Sequence, residues 1–358
     1  MKTYICTYLG SLIMSLVLTP AVIALAVRYE LFDRTEPRKV HSGRIARIGG
    51  LAIFVSMMCI LGAVYLLPNR IGENFRHLGT KVLALLGGAT IVFATGLIDD
   101  IKSVKTWIKL FTQTAAAIFV CSFGIRIEVI NVPDLLCIDF GIFSWPFTIL
   151  WIVGVTNAVN LIDGLDGLAA GICAIACGTI AALAIYFQQT VLCIIMLALA
   201  GGISGFLFFN FNPAKIFMGD CGSLSLGFII ASATVMCTAK SQALVGFALP
   251  LLAMGIPIFD TLFIMLNRFG DKKPVYMPDT EHFHHRLLRL GLKQKHVVVL
   301  AYTVTLLATG AGVFLMAARS VRSIVMFVSI LVLIILVFHV IGEVSVGQIM
   351  RALRRKYQ

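Results

Sequence analysis

Residues 190–211 read TVLCIIMLALAGGISGFLFFNF, an apolar stretch without any Asp, Glu, Lys or Arg side chain. A stretch of roughly 17–25 such residues is long enough to cross a bilayer as one helix. The whole chain shares this character, because 59% of its 358 residues are hydrophobic, only 13% are charged and its mean hydropathy is +0.97. That much apolar surface does not fit into one water-soluble core. The sequence therefore predicts an integral membrane protein.

Similar stretches recur along the chain and predict an all-α polytopic membrane protein with about eleven transmembrane helices. Their ranges are 4–27, 48–67, 80–98, 106–124, 144–162, 168–187, 190–211, 221–239, 244–266, 297–318 and 322–342. The first stretch could instead be a signal peptide. Only Lys2 precedes it and no clear cleavage site follows, so a retained helix is favoured.

The distribution of basic residues predicts the orientation in the membrane. Most of the 29 Lys and Arg residues fall on one side of the predicted helices. Because cytoplasmic loops are rich in Lys and Arg, the N-terminus is predicted outside and the C-terminus in the cytoplasm. The net charge of +12 is spread over loops next to helices, which indicates topology and not binding to nucleic acid.

Residues 1–358 are predicted to form a single integral membrane domain with an active-site face on the cytoplasmic side. Four cytoplasmic loops would build that face: 28–47, 99–105, 212–220 and 267–296. On the periplasmic side, a short strand pair is predicted near 125–143, around Pro133-Asp134.

Two adjacent carboxylates, Asp99 and Asp100, end the third predicted span. Like charges raise each other's proton affinity, so this pair needs water, a cation or neighbouring lysines. A solvated helix end beside Lys102 and Lys105 would explain the pair equally well if it stood alone.

A second polar cluster lies at the end of the fifth predicted span. Asn157, Asn160 and Asp163 recur every three residues, so a helix places them on one face, and Asp166 follows. Two nearby glycines, Gly164 and Gly167, let the backbone open there. Hydrogen bonds between membrane helices are the alternative explanation, but four polar side chains in ten residues exceed what helix packing needs.

Two further motifs follow on the same predicted side. Asp220, flanked by glycines in FMGDCGS, can approach a cation closely, although a plain helix cap is the rival explanation. Residues 281–286, EHFHHR, lack the spacing of a usual zinc site. Histidine and arginine donors suit a diphosphate better, with a basic membrane-surface loop as the alternative.

Acidic groups for a divalent cation and basic groups for phosphates, on one side of one membrane, indicate phosphoryl transfer. The ordered set of motifs resembles the polyprenyl-phosphate N-acetylhexosamine-1-phosphate transferases, glycosyltransferase family 4. The matching segments are Arg38–His41 with Arg47–Gly50, Gly96–Asp100, Asn157–Gly167, Phe217–Ser223 and His282–Arg286. The H-x-H-H-R motif is similar to the branch that transfers GlcNAc-1-phosphate to undecaprenyl phosphate at the start of O-antigen, common-antigen or teichoic-acid linkage synthesis.

The resemblance implies transfer of N-acetylhexosamine-1-phosphate, most simply GlcNAc-1-phosphate, from a UDP-sugar to a polyprenyl phosphate, with release of UMP. The resemblance implies Mg²⁺ as cofactor, with Mn²⁺ as a substitute. It also implies a bacterial inner (plasma) membrane protein with a cytoplasmic active site. A homodimer is compatible with the resemblance. By the same resemblance, Asp99 and Asp100 are catalytic, and Asp220 and Asn160 are metal ligands. The residues expected to bind the nucleotide sugar are Asp163, Asp166, His282, His284, His285, Arg286 and Arg47.

Other functions remain open from the sequence. The peptidoglycan branch of the family uses UDP-MurNAc-pentapeptide and usually has three consecutive histidines, a run that Phe283 interrupts here. Asp260, near Pro257 in the ninth predicted span, would suit an ion-coupled transporter, which places ionisable groups at broken helices near the midplane. A CDP-alcohol phosphatidyltransferase shares Asp166-Gly167, but Gly171 stands where that motif has arginine.

Overall fold

The computed structural model describes residues 2–33, 45–76, 79–132, 136–241, 244–270 and 282–318, and the single position 329. Helices dominate these ranges. The α-helices are α1 (Lys2–Arg28), α2 (Gly50–Leu66), α3 (Arg70–Arg76), α4 (Thr80–Lys102), α5 (Thr106–Ser122), α6 (Ser144–Ile162), α7 (Leu168–Tyr186), α8 (Thr190–Asn210), α9 (Gly219–Ser241), α10 (Leu244–Ala253), α11 (Gly255–Gly270), α12 (Phe283–Arg289) and α13 (Gln294–Ala318). Apart from position 329, the predicted span 322–342 lies outside the described ranges, as does the segment Arg38–His41.

Seven of the described helices are long and apolar enough to cross a membrane: α1, α4, α6 with the 3-10 turn Gly141–Phe143 before it, α7, α8, α9 and α13. Helix α2 and the apolar part of α11 are shorter. The predicted helical architecture with several candidate spans is therefore confirmed. The total of eleven spans and their orientation stay predictions.

The ninth predicted span, 244–266, is not one continuous helix. Helix α10 ends at Ala253 and α11 begins at Gly255, with a turn at Met254 between them. Pro257 lacks the N–H that would continue the helical hydrogen bonds to this turn, and its ring crowds the preceding backbone. The prediction of an unbroken helix is wrong for this physical reason.

The small strand pair lies within the predicted region. Strands β1 (Val129–Val132) and β2 (Leu136–Asp139) are antiparallel, with Val129 opposite Asp139. The turn predicted at Pro133-Asp134 lies outside the described residues.

Helix α9 is the central helix of the bundle. Within its candidate span 94% of the residues are buried, compared with 28% for α1, so α9 is enclosed by other helices whereas α1 leaves much of its surface to the surroundings. Two glycines let neighbouring backbones approach the first turn of α9. A Cβ atom on Gly96 of α4 would lie 2.5 Å from the carbonyl oxygen of Asp220, and one on Gly50 of α2 would lie 2.2 Å from the backbone nitrogen of Gly222. The ends of α2, α4 and α9 therefore meet where Asp220 lies.

Candidate active site

The segment that carries Arg47 is fixed to the chain just before α9. The backbone N–H of Phe217 donates to the carbonyl of Ala46 at 2.7 Å, and the N–H of Gly49 donates back to the carbonyl of Phe217 at 2.9 Å. A short parallel bridge between Ala46 and Ile216 results. This pairing holds Arg47 beside the start of α9.

Asp100 is tied to the N-terminus of α9. One carboxylate oxygen accepts the backbone N–H of Asp220 and the other accepts that of Cys221, each at 2.9 Å. Arg47 Nε lies 3.0 Å from the first of these oxygens, and the Asp100 side chain is fully buried. The first N–H groups of a helix lack partners within the helix and favour a negative charge. Asp100 therefore fixes the end of α9 that carries Asp220.

Two cations hold the carboxylate of Asp220. Lys109 Nζ lies 2.8 Å from one oxygen, and an Arg47 nitrogen lies 3.1 Å from the other. The same Lys109 ammonium is 3.2 Å from Asp99, whose other oxygen accepts the backbone N–H of Val104. Two positive and three negative side chains are thus gathered at the ends of α4 and α9 and on α5.

Asn160 and Asp163 lie at the end of α6, close to the first turn of α9. The Asn160 Nδ2 donates to the Ser223 hydroxyl in the first turn of α9 at 2.8 Å, which leaves the Asn160 amide oxygen for a ligand. Asp163 follows the last residue of α6. Burial, together with the negative charges of Asp220 and Asp100, raises the pKa of Asp163 to about 8. Its carboxyl group is surrounded by protein atoms yet keeps part of its surface accessible.

The donor set fits one Mg²⁺ ion that also binds phosphate. Within the described residues, no three carboxylate, imidazole or thiolate side chains converge into a metal site by themselves. Mg²⁺ in enzymes of phosphate chemistry commonly takes only one or two carboxylates, and substrate phosphates and water supply the other ligands. Burial is the main cause of the raised pKa of Asp163, and the charges of Asp220 and Asp100 add to it, so a nearby cation would favour the ionised form. Asp220 and the amide oxygen of Asn160 are the expected ligands.

Asp166 has different surroundings from Asp163. One of its oxygens accepts both the Asn212 side-chain amide at 2.9 Å and the backbone N–H of Ala214 at 3.0 Å. Asn210 makes a parallel connection, accepting the N–H of Gly167 at 3.0 Å and donating to the carbonyl of Ile216 at 2.8 Å. These bonds join the α6–α7 turn to the α8–α9 connection. The predicted contact of Asp166 with the nucleotide sugar stays a prediction, since the hydrogen bonds shown hold a loop.

The histidine motif opens helix α12. His282 precedes the helix and its Nδ1 lies 2.7 Å from an Asp260 carboxylate oxygen. The buried His284 ring lies parallel to that of His282, with centroids 5.6 Å apart, and its Nε2 would lie 2.8 Å from a Cβ atom on Gly164. The Arg286 guanidinium lies over the ring of Phe263, 5.0 Å from its centroid. The contact between His284 and Gly164 joins the histidine motif to the Asn157–Gly167 segment.

The environment favours neutral rings at two of the three histidines. Burial lowers the pKa of His284 well below its usual value, and the charges of His285 and His282 lower it further. Burial and the charges of His282 and Arg289 also lower the pKa of His285, which the Asp260 charge only partly offsets.

Lys109 is the residue that sequence reasoning missed. It was grouped with the basic residues that set topology, yet it binds both Asp99 and Asp220. A signal was present: Lys109 and Gln113, four positions apart, are polar residues inside the apolar helix α5, and polar groups in such helices face protein partners. Gln113 accepts a hydrogen bond from Asn157 of the motif on α6 at 2.6 Å.

The helical fold places clustered acidic and basic side chains at the ends of membrane helices, and comparisons with known proteins identify the class of protein. The model of glycosyl transferase family 4 matches residues 82–238, which contain the Asp99, Asp163 and Asp220 motifs. The chain belongs to this family, that of the polyprenyl-phosphate N-acetylhexosamine-1-phosphate transferases.

Bacterial relatives cover most of the chain. A probable undecaprenyl-phosphate N-acetylglucosaminyl 1-phosphate transferase of Bacillus subtilis is 35% identical over 95% of this chain and 92% of its own length. A decaprenyl-phosphate N-acetylglucosaminephosphotransferase of Mycobacterium tuberculosis is 32% identical over 82% of this chain and 78% of its own. A phospho-N-acetylmuramoyl-pentapeptide-transferase of Halalkalibacterium halodurans is 32% identical over 88% of this chain and 98% of its own length.

Proposed function

We propose that this protein transfers GlcNAc-1-phosphate from UDP-GlcNAc to undecaprenyl phosphate. The observation that carries the proposal is the first turn of α9, where Asp220 is held by Lys109 and Arg47 and lies beside Asp100 and Asn160. This arrangement occurs in a chain 35% identical to a probable GlcNAc-1-phosphate transferase.

The reaction is an exchange of one phosphoanhydride bond for another. An oxygen of the lipid phosphate forms a bond to the sugar-linked phosphorus of the UDP-sugar. The bond from that phosphorus to the bridging oxygen breaks, and the bridging oxygen leaves with UMP. The products are polyprenyl-diphosphate-GlcNAc and UMP, and a proton carried by the lipid phosphate has to leave before or during attack. Such transfers depend mainly on positioning and charge neutralisation.

The side chains divide these tasks. Lys109 and Arg47 provide positive charge where phosphate groups of both substrates would meet, and Arg47 can offer two parallel N–H donors. Asp99 and Asp100 are both candidates to accept that proton: the oxygens of Asp100 bind the end of α9, and those of Asp99 bind the Val104 N–H and Lys109. Asp220 and Asn160 would hold Mg²⁺, which when bound neutralises phosphate charge. Asp163, His284 and His285 would contact the donor.

We further propose that the site opens to the cytoplasm of a bacterial inner membrane, where a UDP-sugar is available. The basic loops support this orientation through their predicted cytoplasmic location. The site lies where helices end, which allows a water-soluble nucleotide and a membrane lipid to reach it from different directions.

The peptidoglycan reaction is the second candidate, since a relative with that name is 32% identical over 88% of the chain. The interrupted histidine run, with Phe283 between His282 and His284, favours the smaller donor. A single assay separates the two: purified protein in detergent, undecaprenyl phosphate and Mg²⁺ are incubated with UDP-GlcNAc, UDP-GalNAc or UDP-MurNAc-pentapeptide, and UMP is measured. UMP release with UDP-MurNAc-pentapeptide alone would overturn the proposal.

A further inference from the structure

Asp260 is a buried carboxylate with no role in the chemistry described so far. It lies within α11, is only 2% exposed and is surrounded mainly by apolar residues of that helix. A carboxylate in such a place is costly unless hydrogen bonds satisfy it. Both of its oxygens are engaged, and both bonds go to the start of α12.

The two bonds fix the backbone and the first histidine of the H-x-H-H-R motif together. One Asp260 oxygen accepts the backbone N–H of Phe283 at 2.8 Å, and the other lies 2.7 Å from His282 Nδ1. The contact fits a hydrogen on His282 Nδ1 donated to the Asp260 oxygen. The ring plane and the position of Nε2 are then set by Asp260. The same arrangement orients histidines that bind metals or act in catalysis.

His282 in turn defines where His284 lies. The two rings are parallel to within 7°, and both are buried. The His284 ring packs directly against Gly164, the residue after Asp163. A continuous path of contacts therefore leads from Asp260 through His282 and His284 to the acidic segment.

We propose that Asp260 is a positioning residue for the donor diphosphate: it holds His282 and, through it, His284 in the orientation that binds the nucleotide sugar. This inference rests on the proposed function, and it concerns only the donor. Lys109 and Arg47, where the lipid phosphate would meet the donor, have no contact with Asp260 among the described residues. Loss of Asp260 should therefore affect one substrate and spare the other.

The test is Asp260→Asn in the full-length protein. An amide of the same shape can still accept from the Phe283 N–H, but it presents an N–H group to His282 Nδ1 in place of an oxygen. We expect the KM for UDP-GlcNAc to rise roughly 10-fold, the size of one lost hydrogen bond to a charged group, while the KM for undecaprenyl phosphate changes less than twofold. Thr261→Val is the matched control, since this neighbouring hydroxyl has no hydrogen-bond partner within the described residues.

A second measurement separates positioning from general damage. If Asp260 acts through His282, the double variant Asp260→Asn/His282→Gln should have the same donor KM as His282→Gln alone, because coupled residues are not additive. Multiplied effects, or equal changes in both KM values, would overturn the inference. An active wild-type protein with an unaffected Asp260→Asn variant would refute this inference alone. A wild-type protein without transferase activity towards any UDP-sugar would refute the proposed function itself.

Discussion

Asp163 and Asp166 are three positions apart, yet they belong to two regions with opposite properties. Asp163 belongs to the acidic cluster, defined here as Asp99, Asp100, Asp163 and Asp220 with Lys109 and Arg47. Asp166 belongs to the loop clasp, defined as Asp166, Asn210 and Asn212. The clasp is closed by hydrogen bonds to backbone and side-chain amides, whereas the pKa of Asp163 is raised to about 8 by burial and neighbouring negative charge.

The comparison teaches that an acidic motif does not assign one role to each of its members. Asp166, one oxygen of which accepts N–H groups of the α8–α9 connection, stabilises the fold, and its loss removes an acceptor from those donors. A carboxylate that is buried near like charges is available to a cation or a proton. Asp100 and Asp220 differ in the same way: Asp100 accepts backbone N–H groups at the start of α9, whereas Asp220 contacts two cations.

The largest expected effect is on the acidic cluster. Asp220→Asn removes the charge that Lys109 and Arg47 hold, and we expect UMP release to fall roughly 100-fold or more, as for loss of a charge-stabilising group at a reaction centre. Asp139→Asn, an exposed carboxylate at the end of β2, is the control and should keep full activity. Retained activity in a correctly folded Asp220→Asn protein would remove the acidic cluster from the chemistry.

The loop clasp should respond in stability. Asp166→Ala leaves the Ala214 N–H without its acceptor and removes one of the two acceptors of the Asn212 side-chain amide, which costs about 1–3 kcal/mol. We expect a Tm several degrees below that of the wild type in a detergent melt. Asp163→Ala should not lower the Tm, since its carboxylate makes no hydrogen bond within the described part of the chain. Equal losses of stability in the two variants would abolish the distinction between the regions.

The pH dependence of stability sharpens the comparison further. The pKa of Asp163 is about 8 in the folded protein and roughly 3.9 in an unfolded chain. The folded state therefore binds this proton more tightly, so the stability it contributes is complete below about pH 4 and is lost as the pH rises towards 8.

We accordingly expect the Tm of the wild type to fall relative to that of Asp163→Asn as the pH is raised over this range. Saturating Mg²⁺ should reduce the difference, because a nearby cation favours the ionised carboxylate. Melting curves recorded at a series of pH values, with Mg²⁺ or with EDTA, measure both effects. Parallel Tm profiles of the two proteins would contradict the assigned environment.

The smallest effect is expected at the contact between the acidic segment and the histidine motif. A Cβ atom on Gly164 would lie 2.8 Å from His284 Nε2, so Gly164→Ala must displace the ring, and we expect a several-fold rise in the KM for UDP-GlcNAc. Gly154→Ala, on helix α6 just before this turn and with open space around it, is the control. If both variants have the same KM for UDP-GlcNAc, the position of His284 does not affect binding of the donor.

Much of the fold could be predicted from the sequence because the hydrophobic pattern is local. The stretch 190–211 became α8, Thr190–Asn210, and 168–187 became α7, Leu168–Tyr186. The turn at Met254 within 244–266 was not predicted, because mean hydropathy does not show how Pro257 interrupts backbone hydrogen bonds.

The residues of the candidate site and their place on one face were predicted, but their individual contacts were not. The motifs around Asp99, Asn160 and Asp220 were singled out separately, and the structure brings them together at the first turn of α9. The partners of Asp260 could not be predicted, since 22 positions separate it from His282. Lys109 was overlooked because a basic residue near a helix end is equally well explained by topology.

The helical membrane class and the polar side chains that stand out from the apolar helices could both be predicted from the sequence, because both depend on composition within a single helix length. The packed bundle is needed to show that Asp166 binds loop N–H groups whereas Asp163 lies in the acidic cluster. It is also needed to show that Asp100 binds the end of α9 whereas Asp99 binds Lys109. These differences depend on N–H groups and cations supplied by other helices, and their distances exist only once the bundle has packed.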